Sequence, residues 1–199
     1  MDAIQSAGVI PIDVKRDGVD FLTAACYKWL LGPAGAAYLY VREEFIEKLE
    51  PPYVGWASVK HEIFETVDFW DIWSLRLSET ANRFEVGTPS TVSFIGAAEA
   101  IKMLLNFGIE KVERRVLELT DYLIDKVKML GLKLQTPEEP QHRSGIVNFK
   151  IEKPKEVVER LRQKGIVVSA RANGIRVSPH FYNTKTEIDT LIDEIRKTR

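Results

Sequence analysis

The sequence predicts an α/β protein in two parts. A partial large domain with an incomplete sheet covers residues 1–92, and interdomain helices with a small α+β C-terminal domain cover residues 93–199. Three observations predict this arrangement. The first part has two strand-like apolar runs joined by a Gly-Pro-Ala-Gly turn, the text becomes helical from Ser93, and the last third reads β-α-β-β-α. The 199 residues suffice for one good core or two modest ones.

The first part contains two predicted strands and one predicted helix. GVIPIDV reads as a short extended piece, in which Pro11 argues against a central strand. DFLTAAC is a compact apolar run typical of a buried strand, and AAYLYV is a second strand. REEFIEKLE is helical and ends before a Pro-Pro pair.

Residues 55–90 have no clear periodicity and contain Trp56, Trp70 and Trp73. An aromatic, loop-rich stretch of this kind often covers a site or packs against a partner. The alternative interpretation is that the tryptophans simply fill the core.

The second part begins with two predicted helices. SFIGAAEAIKMLLNFG ends at Gly108, and the next helix ends at Gly131. Apolar residues three or four apart form one stripe along the second helix: Ile109, Val112, Val116, Leu119, Leu123, Val127 and Leu130.

The last third predicts a small α+β domain with a largely antiparallel sheet. GIVNFKI alternates like a strand, and a helix follows between Pro154 and Gly165. IVVSA and IRVSP are strands around RANG, whose Asn-Gly pair favours a tight hairpin turn. Thr184 and Glu187 predict a capping box for a final helix, whose buried residues are Ile188, Leu191, Ile192 and Ile195.

Composition narrows the class of function. A net charge of −1 gives no basic field for nucleic acid or an anionic membrane, so neither is an expected partner. Cys26 is the only cysteine, which rules out an internal disulfide and favours a cytoplasmic setting. The three histidines are far apart in sequence, so no metal site is expected. No run reaches transmembrane length, and the N-terminus does not resemble a signal peptide.

Lys28 is the candidate reactive residue, because it stands where an apolar strand meets a tight turn. A solvated lysine at a strand end is the ordinary alternative. Asp2 and Gln5 lie 26 and 23 residues upstream, and a crossover would bring their segment beside the strand. A lysine, a carboxylate and an amide together suit pyridoxal 5'-phosphate. Its lysine adduct draws electrons well when a carboxylate keeps the pyridine nitrogen protonated.

Four blocks, in order, resemble the class V aminotransferases. They are DAIQSAGVIPIDV with GVDFLTAACYKWLLGPAGAAYLYV, then VGWASV, RFEVGTPSTVSFIGAAEAI and GIRVSPHFYNTKTEID. That family includes cysteine desulfurases, selenocysteine lyases, kynureninases and isopenicillin-epimerase-like enzymes. The resemblance implies the type I fold of pyridoxal-phosphate enzymes, of which this chain would be the second half of the large domain and the small domain.

The resemblance also implies roles for single residues. Lys28 would form the Schiff base and move the proton at the substrate α-carbon, Asp2 would pair with the pyridinium, and Gln5 would bind the ring oxygen. Arg176 would clamp the carboxylate of an amino-acid substrate, unless it is a surface arginine at a strand edge. Thr88 would reach the cofactor phosphate of the neighbouring subunit in a homodimer, unless it is an ordinary turn residue.

The sequence differs from the class V pattern at two places that affect which reaction is expected. Many relatives have serine and histidine where this chain has Ala25 and Tyr27; the Tyr-Lys pair is nearer the kynureninase-like pattern, in which the tyrosine hydroxyl binds the phosphate. Desulfurases that hand on sulfur as a persulfide need a cysteine on a mobile loop between the last strands, and SARANGIR is short and has none. Cys26 reads as buried packing. Persulfide relay is therefore not expected; transamination, epimerisation, β-elimination with C–S lysis and kynureninase-type cleavage stay open.

The family's upstream half supplies the phosphate-binding helix and the aromatic ring that stacks on the cofactor, and neither has a counterpart in this sequence. We therefore expect a partial chain with little or no turnover alone. The alternative is a non-catalytic fold remnant or assembly module.

Overall fold

The computed structural model describes residues 1–60 and 76–198, so Trp70 and Trp73 lie outside the described residues. The chain divides into two compact units. The first unit contains Met1–Ala7 and Ile12–Met103, and the second contains Gly8–Pro11 and Leu104–Arg199.

The first unit is built on two antiparallel strands, β1 (Phe21–Ala25) and β2 (Ala37–Val41). Both correspond to predicted strands, although β1 is half-buried rather than fully buried. Leu22 and Ala24 face inward, whereas Phe21 and Thr23 are exposed. The described part of this unit also contains a four-residue helix α1 (Glu43–Ile46), a 3₁₀ turn (Ala81–Phe84) and helix α2 (Thr91–Phe107) as far as Met103.

Two predictions for the first part hold only in part. GVIPIDV forms no strand: Gly8 and Val9 end a run of turns over residues 4–9, which begins where the N–H groups of Ser6 and Ala7 donate to the Ala3 carbonyl at 3.0 and 2.8 Å, and residues 11–13 have no regular secondary structure. The predicted helix in REEFIEKLE shrinks to α1, because its N-cap residue Arg42 makes no side-chain capping bond and so short a helix gains little from propagation.

The second unit is the predicted β-α-β-β-α domain preceded by a long helix. Its elements after the end of α2 are α3 (Ile109–Met129), β3 (Val147–Lys150), α4 (Pro154–Gln163), β4 (Ser169–Arg171), β5 (Gly174–Val177) and α5 (Lys185–Arg196), with a 3₁₀ turn at Pro140–His142. The antiparallel sheet has the order β3-β5-β4. The predicted helix stops are confirmed: Gly108, Gly131 and Gly165 all have positive φ.

One face of this sheet carries the core of the second unit. Val147 and Phe149 of β3 pair with Val177 and Ile175 of β5, and all four are buried under apolar residues of α3, α4 and α5. The α3 residues of this core are Leu119, Leu123, Ile124 and Val127, and those of α5 are Ile188, Leu191, Ile192 and Ile195. The predicted α5 stripe is therefore confirmed. Asn148, Ser169 and Arg176 lie on the opposite face, because side chains alternate along each strand.

Across residues 1–60 and 76–198, no single helix is long and apolar enough to cross a membrane; α2 and α3 reach that length and composition only as a bent pair.

Candidate functional site

Lys28 lies in the turn between β1 and β2. The strand ends at Ala25, three residues earlier than the predicted position of the lysine at the strand terminus. Hydrogen bonds then close the turn: Leu31 N–H donates to the Lys28 carbonyl at 3.0 Å, and Gly32 N–H donates to the Cys26 carbonyl at 2.8 Å. The Lys28 side chain is partly buried. The backbone around the amine is therefore fixed by bonds on both sides of it.

The turn after Lys28 is held against the first half of α2. A Cβ at Gly32 would lie 3.3 Å from the Ala97 Cα, so only glycine lets the two backbones approach this closely. Ser93 Oγ donates to the Ala34 carbonyl at 2.9 Å. The Gly-Pro-Ala-Gly sequence thus anchors the lysine turn on a helix of the same unit.

The segment of Asp2 lies beside β1, as the predicted crossover requires. Asp2 and Thr23 are parallel bridge partners, with Ala3 N–H donating to the Thr23 carbonyl at 2.8 Å and Thr23 N–H donating to the Met1 carbonyl at 3.1 Å. The Asp2 side chain is exposed, and its Oδ1 accepts from the Ile4 N–H at 3.0 Å. The role expected of Asp2 calls for a buried carboxylate, which is not its state in this chain.

Gln5 reaches the Lys28 turn through a neighbour of the lysine. The indole Nε1–H of Trp29 donates to Gln5 Oε1 at 3.1 Å, and Trp29 is only 6% exposed. Tyr27, on the other side of Lys28, is exposed, and the Lys28 Nζ lies 5.9 Å from the centroid of its ring. The first unit therefore holds Asp2, Gln5, Tyr27 and Lys28 on two adjacent segments.

Thr88 lies in the loop that leads into α2 and its side chain is exposed. The loop before it is anchored, because Ser58 Oγ accepts from the Gly55 N–H at 3.0 Å and donates to the Glu85 carbonyl. Thr88 is therefore an exposed residue next to an anchored segment.

Arg176 lies in the second unit, in the middle of β5. Its cross-strand partners are Asn148 on β3 and Ser169 on β4. The side chain is partly buried, and its Nε is buried without a hydrogen-bond partner among the described residues. This nitrogen is therefore a buried donor whose hydrogen bond is not satisfied by the described residues.

The connection between β4 and β5 is a two-residue hairpin turn. Its central residues, Ala172 and Asn173, have φ values of 49° and 56°, which is the left-handed region of a type I′ turn. Gln135 Nε2 donates to the Ala172 carbonyl at 3.0 Å, and Asn148 Nδ2 donates to the Arg171 carbonyl at 3.3 Å. The predicted hairpin is confirmed, with its turn one residue earlier than the Asn-Gly pair suggested.

Cys26, the last residue before the Tyr-Lys pair, is 3% exposed. Burial raises the pKa of its thiol above the ordinary value. A buried thiol with a raised pKa is a poor nucleophile. Among the described residues, no group of three or more His, Cys, Asp or Glu side chains is arranged to hold a metal ion.

Sequence reasoning missed Trp29 and Asn148. A signal was available for Trp29, because a tryptophan in a buried run needs an acceptor for its N–H and Gln5 was already a candidate for the site. For Asn148 the signal was an amide in the middle of an apolar strand, on the face opposite Phe149.

Comparisons with known proteins identify the family and the fold. The aminotransferase class-V family profile matches residues 1–191. The uncharacterized aminotransferase YcbU of Bacillus subtilis is 36% identical over 98% of this chain and 50% of its own length. The apo cysteine desulfurase of Thermococcus onnurineus NA1 superposes with a TM-score of 0.87 at 28% identity, over 99% of this chain and 51% of that one.

A second solved structure is the cystine C–S lyase C-DES with its product cysteine persulfide. It is 26% identical with a TM-score of 0.84, over 96% of this chain and 50% of that one. A mutant of C-DES carries glycine covalently linked to its pyridoxal-phosphate cofactor. Pyridoxal phosphate is also the cofactor of class V aminotransferases.

The chain spans about half the length of the curated relatives it matches. Within that half, the match covers the strand with the lysine turn, the anchored loop before α2 and the small domain as far as the first part of α5. The chain belongs to the aminotransferase class-V family.

Proposed function

We propose that this chain carries the lysine-bearing part of a pyridoxal-phosphate enzyme that acts on an amino acid. The observation that carries the proposal is the pairing of the Asp2 segment with β1, together with the contact of Gln5 to Trp29 beside Lys28. This arrangement gathers a carboxylate, an amide and a primary amine in the first unit.

The donor set fits the cofactor. A primary amine at Lys28 would hold it covalently, the Asp2 carboxylate would keep a proton on the ring nitrogen, and a Gln5 N–H would bind the ring oxygen. When bound, pyridoxal phosphate supplies an electron sink that makes bonds at the α-carbon of an amino acid breakable. The exposure of Asp2 means that something must cover this carboxylate before it can hold that proton firmly.

The other predicted residues complete the proposal. The Tyr27 and Thr88 hydroxyls would donate to phosphate oxygens, Thr88 to the cofactor of a neighbouring subunit. The Arg176 guanidinium would bind the substrate carboxylate through paired N–H donors. Lys28 Nζ would also move the proton at the substrate α-carbon.

Within this class of reaction, we expect no persulfide relay. The Cys26 thiol is buried with a raised pKa, and the two-residue turn between β4 and β5 offers no mobile loop. Transamination, epimerisation, C–S lysis and kynureninase-type cleavage are the reactions that the proposal covers.

Borohydride trapping tests the proposal. The chain is joined to the upstream half of a related aminotransferase, incubated with pyridoxal phosphate, reduced and digested for mass spectrometry. We expect the reduced cofactor on Lys28, its loss in Lys28→Ala, and its retention in the control Lys48→Ala, which replaces an exposed lysine. The same assembly should turn over an amino acid, whereas the 199-residue chain alone should have little or no turnover, because the phosphate is not anchored. Cofactor on other lysines only would contradict the proposal and favour a non-catalytic module. Turnover that survives Lys28→Ala would show that Lys28 is not the catalytic amine.

A further inference from the structure

We propose that Trp29 is a positioning residue that fixes the orientation of the Gln5 amide, so that Nε2 rather than Oε1 faces the oxygen on the cofactor ring. The inference rests on the proposed function, because it takes Gln5 as the partner of that oxygen. It concerns a residue for which the family resemblance implied no role.

The chemistry of the two side chains determines the orientation. An indole N–H can donate a hydrogen bond but cannot accept one, whereas a glutamine amide has an accepting oxygen at one end and two N–H donors at the other. Trp29 Nε1–H donates to Gln5 Oε1 at 3.1 Å. Rotating the amide by half a turn would set N–H donors against each other. The bond therefore holds Oε1 toward Trp29 and leaves the Nε2 donors for another partner.

Trp29 is itself held firmly. Its side chain is 6% exposed, so the indole has little freedom to turn away. The two backbone bonds that close the turn, from Leu31 N–H to the Lys28 carbonyl and from Gly32 N–H to the Cys26 carbonyl, enclose it. One turn thus determines both the position of the lysine and the orientation of the amide.

The orientation matters because the ring oxygen of the cofactor carries negative charge when ionised. A donor beside that oxygen favours the ionised form, whereas a carbonyl oxygen would repel it. Without Trp29 the amide could present either end. We therefore expect loss of the indole N–H to raise the pH at which the visible absorbance band of the lysine-bound cofactor titrates.

A measurement without cofactor tests the contact. In ¹H–¹⁵N spectra of the protein with ¹⁵N-labelled tryptophan, Trp29→Phe identifies the Trp29 indole signal by its loss. Gln5→Leu should move that signal further than any other indole signal and speed its exchange with solvent. The control Gln135→Leu removes an amide that bonds the Ala172 carbonyl in the second unit, and should leave the Trp29 signal in place. An unmoved Trp29 signal in Gln5→Leu would overturn the proposal, whether or not cofactor binds.

A titration of the visible band tests the consequence, in the chain joined to the upstream half and loaded with cofactor. Trp29→Phe should lower the ionisation equilibrium constant of the lysine-bound cofactor about threefold or more. The midpoint of the titration should therefore move upward by about 0.5 pH unit. In the Gln5→Leu background, Trp29→Phe should add no shift, because the indole acts through the amide. An equal shift in both backgrounds, or none in either, would refute the positioning role. If Lys28 captures no cofactor, the proposed function fails, while the indole spectra still decide whether Trp29 orients Gln5.

Discussion

Asn148 and Arg176 are direct cross-strand partners on β3 and β5, and each has a buried polar atom without a hydrogen-bond partner among the described residues, Oδ1 and Nε respectively. Buried polar atoms of this kind are uncommon in folded proteins, and a bound ligand is one way to satisfy them. The sheet face that bears both residues is opposite the apolar core face.

Arg176→Ala should weaken amino-acid binding by about 2–5 kcal/mol if the carboxylate pair is buried. The reason is the loss of the paired N–H donors of the guanidinium. Affinity is measured by titrating substrate into the chain joined to an upstream half and loaded with cofactor. The control Arg171→Ala removes an exposed guanidinium from β4 and should leave affinity unchanged. Equal affinities of the wild type and Arg176→Ala would exclude Arg176 as the carboxylate clamp.

Cys26 should behave as packing rather than as a nucleophile. Because burial raises the pKa of its thiol, less thiolate is present near neutral pH than for a free cysteine. We expect a disulfide reagent such as DTNB to react slowly with the native protein and rapidly after unfolding in urea. Cys26→Ala should keep the turnover of the reconstituted enzyme. Fast reaction of DTNB with Cys26 in the native protein, together with loss of turnover in Cys26→Ala, would support a persulfide mechanism.

Gly174→Ala should be one of the most destabilising substitutions in the second unit. A Cβ at this position would overlap the Phe149 carbonyl oxygen and lie 2.6 Å from Gln135 Oε1. We expect a loss of at least about 3 kcal/mol in the free energy of unfolding, measured in urea. Gly131→Ala is the control: its Cβ has open space and its φ is +67°, so it should cost only about 1–2 kcal/mol of backbone strain. Equal losses would show that strand β5 shifts to make room.

Thr184→Ala should lower the free energy of unfolding by about 1 kcal/mol, because it removes half of the predicted capping box of α5. The structure confirms that box: Thr184 Oγ1 accepts from the Glu187 N–H at 3.2 Å, and Glu187 Oε2 accepts from the Thr184 N–H at 2.7 Å. The control Thr186→Ala, two residues further along α5, removes a threonine that is not part of the capping box, so it should not lower the free energy of unfolding in this way. If the two variants unfold at the same urea concentration, the cap contributes nothing.

The same box predicts a pH dependence. Hydrogen bonds from Thr184 lower the pKa of Glu187, so the carboxylate stabilises the fold above its unfolded-state pKa. That contribution disappears as pH falls through the lower folded-state pKa. Glu187→Gln should therefore lose less stability than the wild type on acidification, in urea titrations at neutral and acid pH. Parallel losses in both proteins would mean that Glu187 does not couple to folding.

We expect a homodimer or a larger assembly. Helix α2 exposes large apolar side chains, with Val92 82% and Ile95 63% exposed, and such side chains are usually covered in an assembled protein. Light scattering at micromolar concentration should give at least twice the chain mass. A clean monomer mass would argue against a site that Thr88 completes across subunits.

The sequence predicted well those elements whose ends depend on local chemistry. Gly108, Gly131 and Gly165 end helices because a left-handed residue is easiest for glycine, and Thr184 with Glu187 begins one. GVIPIDV forms no strand, and its first two residues belong to a run of turns that begins upstream at residue 4. The apolar pattern of the segment does not indicate turns that start before it.

The candidate site was predictable only where a motif marked it. Lys28 and Arg176 stand in recognisable blocks, whereas the contact of Trp29 with Gln5 joins residues 24 positions apart. A tryptophan or a glutamine in a sequence does not by itself predict this hydrogen bond, because the bond depends on how the first turn lies beside β1. The hairpin turn was placed one residue late for a similar reason: Gly174 is needed in the strand, where a side chain would overlap the Phe149 carbonyl.

The short hairpin between β4 and β5 has a consequence for how this scaffold could acquire new chemistry. The side-chain amides of Gln135 and Asn148 each donate one hydrogen bond to the backbone of this hairpin. Exposed loop tips on a rigid sheet tolerate inserted segments. A longer loop grafted between Arg171 and Gly174 would leave β4 and β5 paired while adding a mobile arm. A cysteine on that arm would supply the exposed thiol that the segment SARANGIR does not contain.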